Sequence, residues 1–213
     1  MENFVKILIY IHAFFGGIGL LAGTVVMLAK KGNQLHQKAG KIFSLGMLIS
    51  TILSFVVCVF PNHHNSFLVL IGIFTIYMIL IGNRVTKYKK KNYKNALNQY
   101  ISYGMFFAGI VMIGIAIYFR LMYEKLPVLF ILFGLLSAFM ASRDFKFYKD
   151  PENNKKWVKS HVGKMVGAYI ASVTAFIVAG LGYGGNFYAW ILPTIIGTIY
   201  IIVWGRKLNK KVI

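Results

Sequence analysis

The feature that most constrains the fold is a series of seven apolar runs, six of them of about the length that crosses a lipid bilayer as a helix and the fifth shorter. A spanning α-helix needs about 20 mainly apolar residues, because the hydrocarbon core offers no water to satisfy exposed backbone groups. The runs cover approximately residues 4–29, 40–60, 66–83, 101–119, 127–142, 162–183 and 188–205. The sequence therefore predicts an all-α, polytopic membrane helix bundle that forms a single integral membrane domain over residues 1–213.

The composition argues against a water-soluble fold. Hydrophobic residues make up 58% of the chain and charged residues 14%, whereas soluble domains carry about 25% charged residues. A chain with this balance needs a solvent that accepts apolar side chains, and a bilayer provides one.

Basic residues are distributed very unevenly between the two ends of the predicted helices. Of the 24 Lys and Arg residues, 21 fall in the loops after helices 1, 3 and 5, at the start of helix 6 or in the C-terminal tail, which leaves Lys6, Arg120 and Lys125 on the other side. Because cytoplasmic loops carry an excess of Lys and Arg, the pattern predicts a multi-pass cell-membrane protein with its N-terminus outside and its C-terminus in the cytoplasm. Topology and attraction to anionic lipid headgroups then explain the net charge of +19, so the expected partner is the lipid bilayer and not nucleic acid.

Helix 1 carries a histidine on a face that is otherwise made of glycines. Gly16, Gly19 and Gly23 follow His12 at spacings that place all four residues on one side of a 3.6-residue helix. Small residues let helices approach closely in lipid, so the spacing predicts that His12 points into a packed helix interface. Two interpretations stay open, because His12 can donate a single interhelical hydrogen bond or belong to a functional site.

Two further histidines occupy similar positions near the start of helices 2 and 6. His36 and His161 each follow a basic loop and begin a helix face of mainly small, weakly polar or sulfur-containing residues. The faces continue through Gly40, Phe43, Met47, Ser50 and Ser54 for His36, and through Met165, Ala168, Ser172 and Ala175 for His161. The similarity predicts a faint internal repeat of helices 1–2 by helices 5–6, with both histidines on the cytoplasmic side. They are interpreted either as interfacial groups that solvate headgroups or as one shared functional unit.

Two charged residues are expected at the same depth as these histidines. Arg84 ends helix 3 and shares a face with Tyr77, and Asp144, one of five acidic residues, follows helix 5. In so basic a chain Asp144 is expected to pair with Arg84, His161 or a lysine. The sequence therefore predicts that His36, Arg84, Asp144 and His161 line one cytoplasm-facing cavity, with a plain surface ion pair as the alternative.

A short polar segment on the opposite side, residues 61–65, joins helices 2 and 3. Proline and asparagine are typical turn residues, and the segment also contains the adjacent residues His63 and His64. We interpret these histidines first as part of a turn and second as candidate metal ligands, beside His36 and His161.

Several of these segments resemble an uncharacterised family of bacterial predicted membrane proteins, domain of unknown function 2306. The resemblance lies in residues 12–17 (HAFFGG), in residues 30–32 (KKG) with Leu35, His36 and Gly40, and in helix 6 with Trp157, His161, Met165 and residues 174–176 (TAF). It covers the first two helices and helix 6. The resemblance implies a bacterial inner-membrane protein without an assigned activity.

Three functional classes fit these features, beside an accessory or structural role that also stays open. The first is a redox or cofactor-handling protein, in which His36 and His161 ligate haem b or a divalent metal inside the bundle and His12 with His63 or His64 forms a second site. The second is a transporter of a small solute or lipid, favoured by the apparent repeat, by Arg84 and Asp144, and by Pro193, which is expected to interrupt helix 7. The third, with the least support, is an intramembrane metal-dependent hydrolase that uses the same histidines with Asp144.

Overall fold

In a computed structural model of the protein, the described residues 2–94, 96–123, 127–150 and 152–210 form long helices joined by short turns, without a β-strand among them. The helices are α1 (Glu2–Leu28), α2 (Gln34–Val59), α3 (Ser66–Arg84), α4 (Ala96–Tyr123), α5 (Val128–Lys149), α6 (Asn153–Ala175) and α7 (Phe187–Lys210). A 3-10 segment (Val85–Lys89) extends α3 and a π-helical segment (Phe176–Gly180) extends α6. Seven helices in the described chain are long and apolar enough to cross a membrane, which confirms the predicted all-α class and the predicted helix count.

Several helices extend well beyond the apolar runs that predicted them. α2 begins at Gln34, α5 ends at Lys149 and α6 begins at Asn153. The prediction that Asp144 follows helix 5 is therefore wrong, because Asp144 lies inside α5. Lys, Arg and Gln are good helix formers, so a helix continues past the point where its side chains stop being apolar.

Two further sequence expectations need comment. Pro193 does not interrupt helix 7, because α7 continues through it from Phe187 to Lys210. Among the basic residues that carried the topology argument, Lys125 and Lys211 lie outside the described residues.

The chain packs into two compact units. Unit 1 comprises residues 1–79 and 166–202, which include α1, α2, most of α3, the second part of α6 and most of α7. Unit 2 comprises residues 80–165 and 203–213, which include the end of α3, α4, α5 and the first part of α6.

In unit 1, α1 and α2 cross at a contact made by glycines. A Cβ atom on Gly46 would lie 2.9 Å from the carbonyl oxygen of Phe15 and 3.2 Å from the Cα of Gly19, and one on Gly23 would lie 2.6 Å from the ring of Tyr169. The predicted close packing of the glycine face of helix 1 is therefore confirmed, since these positions leave no space for a larger residue.

In unit 2, α4 and α5 cross in the same manner. A Cβ atom on Gly109 would lie 2.7 Å from the carbonyl oxygen of Gly134, and one on Gly134 would lie 2.9 Å from the carbonyl oxygen of Gly109. Both contacts involve backbone atoms, which cannot rotate away. This close approach brings the polar residues on the inner faces of α4 and α5 within hydrogen-bonding distance.

Candidate functional site

The most unusual feature of unit 2 is a buried ion pair between α5 and α6. Lys164 Nζ lies 2.8 Å from Asp144 Oδ1, and the two side chains are 4% and 3% exposed. Both residues belong to helices that are long and apolar enough to span a membrane. Removing two charges from water costs several kcal/mol per ion. The attraction between the charges offsets this cost only when the geometry is good and further hydrogen bonds are present. The expectation that Asp144 pairs with a lysine is confirmed.

Hydrogen bonds from α4 complete the environment of the carboxylate. Ser102, which is fully buried, donates its hydroxyl to Asp144 Oδ2 at 3.1 Å. The hydroxyl of Tyr148, one turn after Asp144 on α5, lies 3.0 Å from Ser102 Oγ and donates to the backbone oxygen of Asn98 at 3.3 Å. The carboxylate therefore has partners at both oxygen atoms, as a buried charge requires.

The same network reaches Arg84 at the end of α3. Arg84 Nε donates to Asn98 Oδ1, and Asn98 is fully buried one turn before Ser102 on α4. Arg84, Asn98, Ser102, Tyr148, Asp144 and Lys164 thus form one chain of contacts, which we call the polar network. It contains two cations and one carboxylate and runs between four helices of unit 2.

One buried polar atom on the inner face of α5, Ser137 Oγ, lacks a hydrogen-bond partner among the described residues. Ser137 lies on the same face of α5 as Asp144, two turns earlier. A buried polar group without a partner costs about 1–3 kcal/mol, so this hydroxyl marks a place where a polar ligand or water would be stabilised.

His161 and Met165 contact the end of α3. His161 Nδ1 donates to the carbonyl oxygen of Gly82 at 2.7 Å. A Cβ atom on Gly82 would lie 2.7 Å from Met165 Sδ, so Met165 packs directly over this glycine. Both belong to the first part of α6 that also carries Lys164. The structure thus brings Arg84, Asp144 and His161, three of the four residues predicted to line one cavity, into unit 2.

The fourth predicted member, His36, belongs to unit 1. It lies in the first turn of α2, where its backbone N–H donates to the side chain of the N-cap residue Asn33 at 2.8 Å. His36 Nδ1 is buried and has no hydrogen-bond partner among the described residues. Tyr77 also belongs to unit 1 and is buried at 3% exposure. The pairing of His36 with His161 stays a prediction.

His12 makes the interhelical contact that its glycine face predicted. Its Nδ1 donates to the carbonyl oxygen of Ser50 at 2.8 Å and lies 3.0 Å from Ser50 Oγ, and that hydroxyl donates back to the carbonyl oxygen of His12 at 3.1 Å. These reciprocal bonds tie α1 to α2. They account for a half-buried histidine in a helix interface without a ligand.

The histidines of residues 61–65 belong to a turn. The His63 backbone N–H donates to the carbonyl oxygen of Phe60 at 3.2 Å, and Asn62 has a φ of 66°. His64 Nδ1 donates to the carbonyl oxygen of Cys58 at 3.4 Å. In the part of the chain that the structure describes, no group of three His, Cys, Asp or Glu side chains is placed to hold a metal ion. Ligation of a metal or haem by His36, His161, His63 or His64 stays a prediction.

A second, exposed set of ion pairs lies at the turn between α5 and α6. Lys156 Nζ lies 2.7 Å from Asp150 Oδ2, and this hydrogen bond lowers the pKa of the Asp150 carboxyl. Lys155 Nζ likewise lies 3.1 Å from Glu152 Oε1 and lowers the pKa of that carboxyl. Exposed pairs contribute little to stability because water and salt screen them. This set contrasts with Asp144–Lys164, where burial removes the screening.

Sequence reasoning missed four members of the polar network, namely Lys164, Asn98, Ser102 and Tyr148. Lys164 was counted only as one of the basic residues that define topology. The pairs Asn98 with Ser102 and Asp144 with Tyr148 are each spaced by four residues, which places both members on one helix face. That spacing predicts one polar face on α4 and another on α5, but it does not show that these two faces are in contact.

Comparison with known proteins adds no assignment to this geometry. No family model, no curated protein and no solved structure matches this chain. Any functional conclusion therefore depends on the contacts within the chain itself.

Proposed function

We propose that this chain is a multi-pass membrane protein that binds and transports a small polar solute, with Asp144 and Lys164 at its binding site. The observation that carries the proposal is the ion pair buried between α5 and α6, at 2.8 Å, in helices that are able to span a membrane. Ionisable residues in such segments are costly, and they commonly mark substrate or ion pathways.

The chemistry of the polar network favours a zwitterionic solute. Asp144 offers a negative partner and Lys164 a positive one, so a ligand that carries both charges can replace the ion pair without leaving either group unpaired. Ser137 Oγ, which is buried two turns earlier on the same face of α5 and has no hydrogen-bond partner among the described residues, provides a further hydroxyl. When the ligand's two charges pair with Asp144 and Lys164, the protein ion pair is replaced without the cost of leaving a buried charge isolated.

The proposal is tested by solute uptake into liposomes that contain the purified protein. We expect liposomes with the parent protein to accumulate one or more members of an isotope-labelled amino-acid mixture above protein-free liposomes. Asp144→Asn should lower uptake about tenfold or more, since a hydrogen bond to a charged group contributes about 1.5–3 kcal/mol. Asp150→Asn, which changes an exposed acid in an ion pair, is the matched control and should transport as the parent does. Equal uptake by Asp144→Asn and the parent would contradict the proposal.

We also propose the orientation and the compartment that the sequence predicted: a bacterial inner membrane, with the N-terminus outside, the C-terminus in the cytoplasm and the basic loops against anionic headgroups. The support is the distribution of 21 of the 24 basic residues and, for the compartment, the resemblance to domain of unknown function 2306. Reporter fusions after Lys91, Lys155 and the C-terminus should report the cytoplasm, and fusions at Asn65, Glu124 and Gly185 the outside. A single fusion on the opposite side would contradict this seven-helix orientation.

The haem hypothesis keeps one supporting observation. His161 Nδ1 donates to the carbonyl oxygen of Gly82, and metal-binding histidines commonly donate their second ring nitrogen to such a group. A Soret band in the visible spectrum of the purified protein would favour haem over the solute-binding proposal.

A further inference from the structure

Unit 1 contains an apolar cavity that is separate from the polar network. The cavity has a volume of about 480 Å³ and lies between α6, α7 and the C-terminal end of α1. Its walls include Val173 and Ile177 of α6, Leu192 and Ile196 of α7, and Met27 of α1. Ile196 is 66% exposed, so the cavity is a groove that opens on the outer surface of α7.

Local features of α6 and α7 account for the shape of the groove. α6 changes from α- to π-helical geometry at Phe176–Gly180, and Ile177 of this segment lines the groove. Pro193 of α7 also lines it and has no N–H to donate to the preceding turn. Gly197 allows the side chain of Ile170 to approach the α7 backbone closely. π-Helical segments and prolines are found where a helix surface departs from regular packing, often at functional sites.

The length of the groove matches a lipid chain. Its lining residues on α7 run from Tyr188 to Tyr200, which corresponds to about 18 Å at 1.5 Å per residue. One leaflet contributes about half of a hydrocarbon core of about 30 Å. A chain that lies along the groove would therefore extend through one leaflet and slightly beyond the midplane.

The two ends of the groove differ in charge. At one end, Tyr200 donates its hydroxyl to the carbonyl oxygen of Met27 at 3.1 Å, and Lys31 Nζ lies 5.6 Å from the centre of the Tyr200 ring. Lys31 also donates to the carbonyl oxygens of Val26 and Met27 at 2.7 and 2.8 Å, so its positive charge is held at this end. The other end carries the neutral residues Tyr183, Asn186 and Tyr188.

We propose that this groove holds one acyl chain of an anionic phospholipid whose phosphate lies at the Lys31 end. The apolar walls provide the affinity for the chain, because each buried methylene stabilises binding. The fixed ammonium of Lys31 provides the preference for a negative headgroup. The assignment does not depend on solute transport, because the groove and the polar network belong to different units.

The experiment is a titration of the delipidated, detergent-solubilised protein with phosphatidylglycerol and with phosphatidylcholine, followed by native mass spectrometry. The parent should bind one phosphatidylglycerol about fivefold more tightly than phosphatidylcholine, the contribution expected of one lysine near the headgroup. Glycerol phosphate without acyl chains should not bind, since the chain supplies most of the affinity. Equal binding of both lipids, or binding of glycerol phosphate, would overturn the proposal.

Matched variants separate the groove from the general lipid surface. Ile196→Trp fills the groove from an exposed position and should weaken lipid binding about tenfold, the equivalent of about two lost methylene contacts. Ile195→Trp makes the same change at a neighbouring residue of α7 that does not line the groove, and should bind as the parent does. Equal effects of the two substitutions would overturn the groove assignment.

Lys31 is tested by two further variants. Lys31→Gln should remove the preference for phosphatidylglycerol while retaining binding of the chain, and Lys31→Arg should keep the preference. Lys38→Gln removes an exposed lysine of α2 as the control. A preference that survives in Lys31→Gln would overturn the placement of the phosphate.

Discussion

Lys164→Met is expected to lower the free energy of unfolding by about 3–5 kcal/mol, the largest effect expected of a single substitution in unit 2. The substitution removes the ammonium group that lies 2.8 Å from the carboxylate of Asp144 and leaves this carboxylate buried without that counter-charge. Met is close to Lys in size, so the loss comes from charge rather than from a cavity. Unfolding curves in mixed micelles, followed by circular dichroism, measure the change. Lys159→Met, at an exposed position of the same helix, should change stability by less than about 0.5 kcal/mol.

The double variant Asp144→Asn with Lys164→Met distinguishes a structural from a functional ion pair. Replacing both charged partners by neutral groups is often neutral or stabilising, so the double variant should recover most of the stability that Lys164→Met loses. It should still fail in the uptake assay, because neither charge remains to bind a solute. If the double variant transports as well as the parent, the ion pair serves packing alone. If Lys164→Met is as stable as the parent, the pair is not buried as described.

Gly109→Ala is expected to destabilise the protein by about 1–3 kcal/mol, the usual cost of overpacking a close contact. The new Cβ would lie 2.7 Å from the carbonyl oxygen of Gly134 and 3.0 Å from the backbone nitrogen of Ala138, so α4 and α5 must separate. Gly114→Ala on α4 is the control, because a Cβ there meets nothing within 4 Å. It should be neutral or stabilise the protein by up to about 1 kcal/mol, since Ala is the better helix former.

Separation of α4 and α5 also has a functional consequence. Ser102 on α4 donates to Asp144 on α5 across this contact, so Gly109→Ala should lower solute uptake while Gly114→Ala does not. Equal thermal stability of the two variants would show that the crossing tolerates a methyl group and that the backbone approach is looser than described.

The sequence was most informative where one physical rule dominates. Hydropathy predicted seven helices because every spanning backbone must satisfy its own hydrogen bonds, and seven are found in the described chain. The glycines that share a face with His12 predicted a close helix contact, and Gly19 meets Met47 and the backbone of α2 there. Both inferences depend on the spacing of residue types along one helix, which can be read directly from the sequence.

Helix ends and the roles of individual charges were less accessible to sequence reasoning. Hydropathy marks where side chains stop being apolar, whereas the hydrogen-bonded backbone of α6 starts at Asn153, before its apolar run. When basic residues are counted along the sequence, Lys164 cannot be distinguished from the other lysines near the start of helix 6. Its burial depends on contact with Asp144, which lies twenty residues earlier on another helix.

For this protein the sequence alone determined the all-α class, the number of long apolar helices and the helix faces, because these follow from side-chain type and periodicity. Tertiary structure alone decided which polar residues meet: Ser102 and Tyr148 around Asp144, Lys164 as its partner, and the α6–α7 groove beside Tyr200. The physical reason is that a buried charge or cavity is defined by groups from several helices at distances of about 3 to 4 Å. Such distances are set by the crossing of helices, and periodicity along one helix carries no information about them.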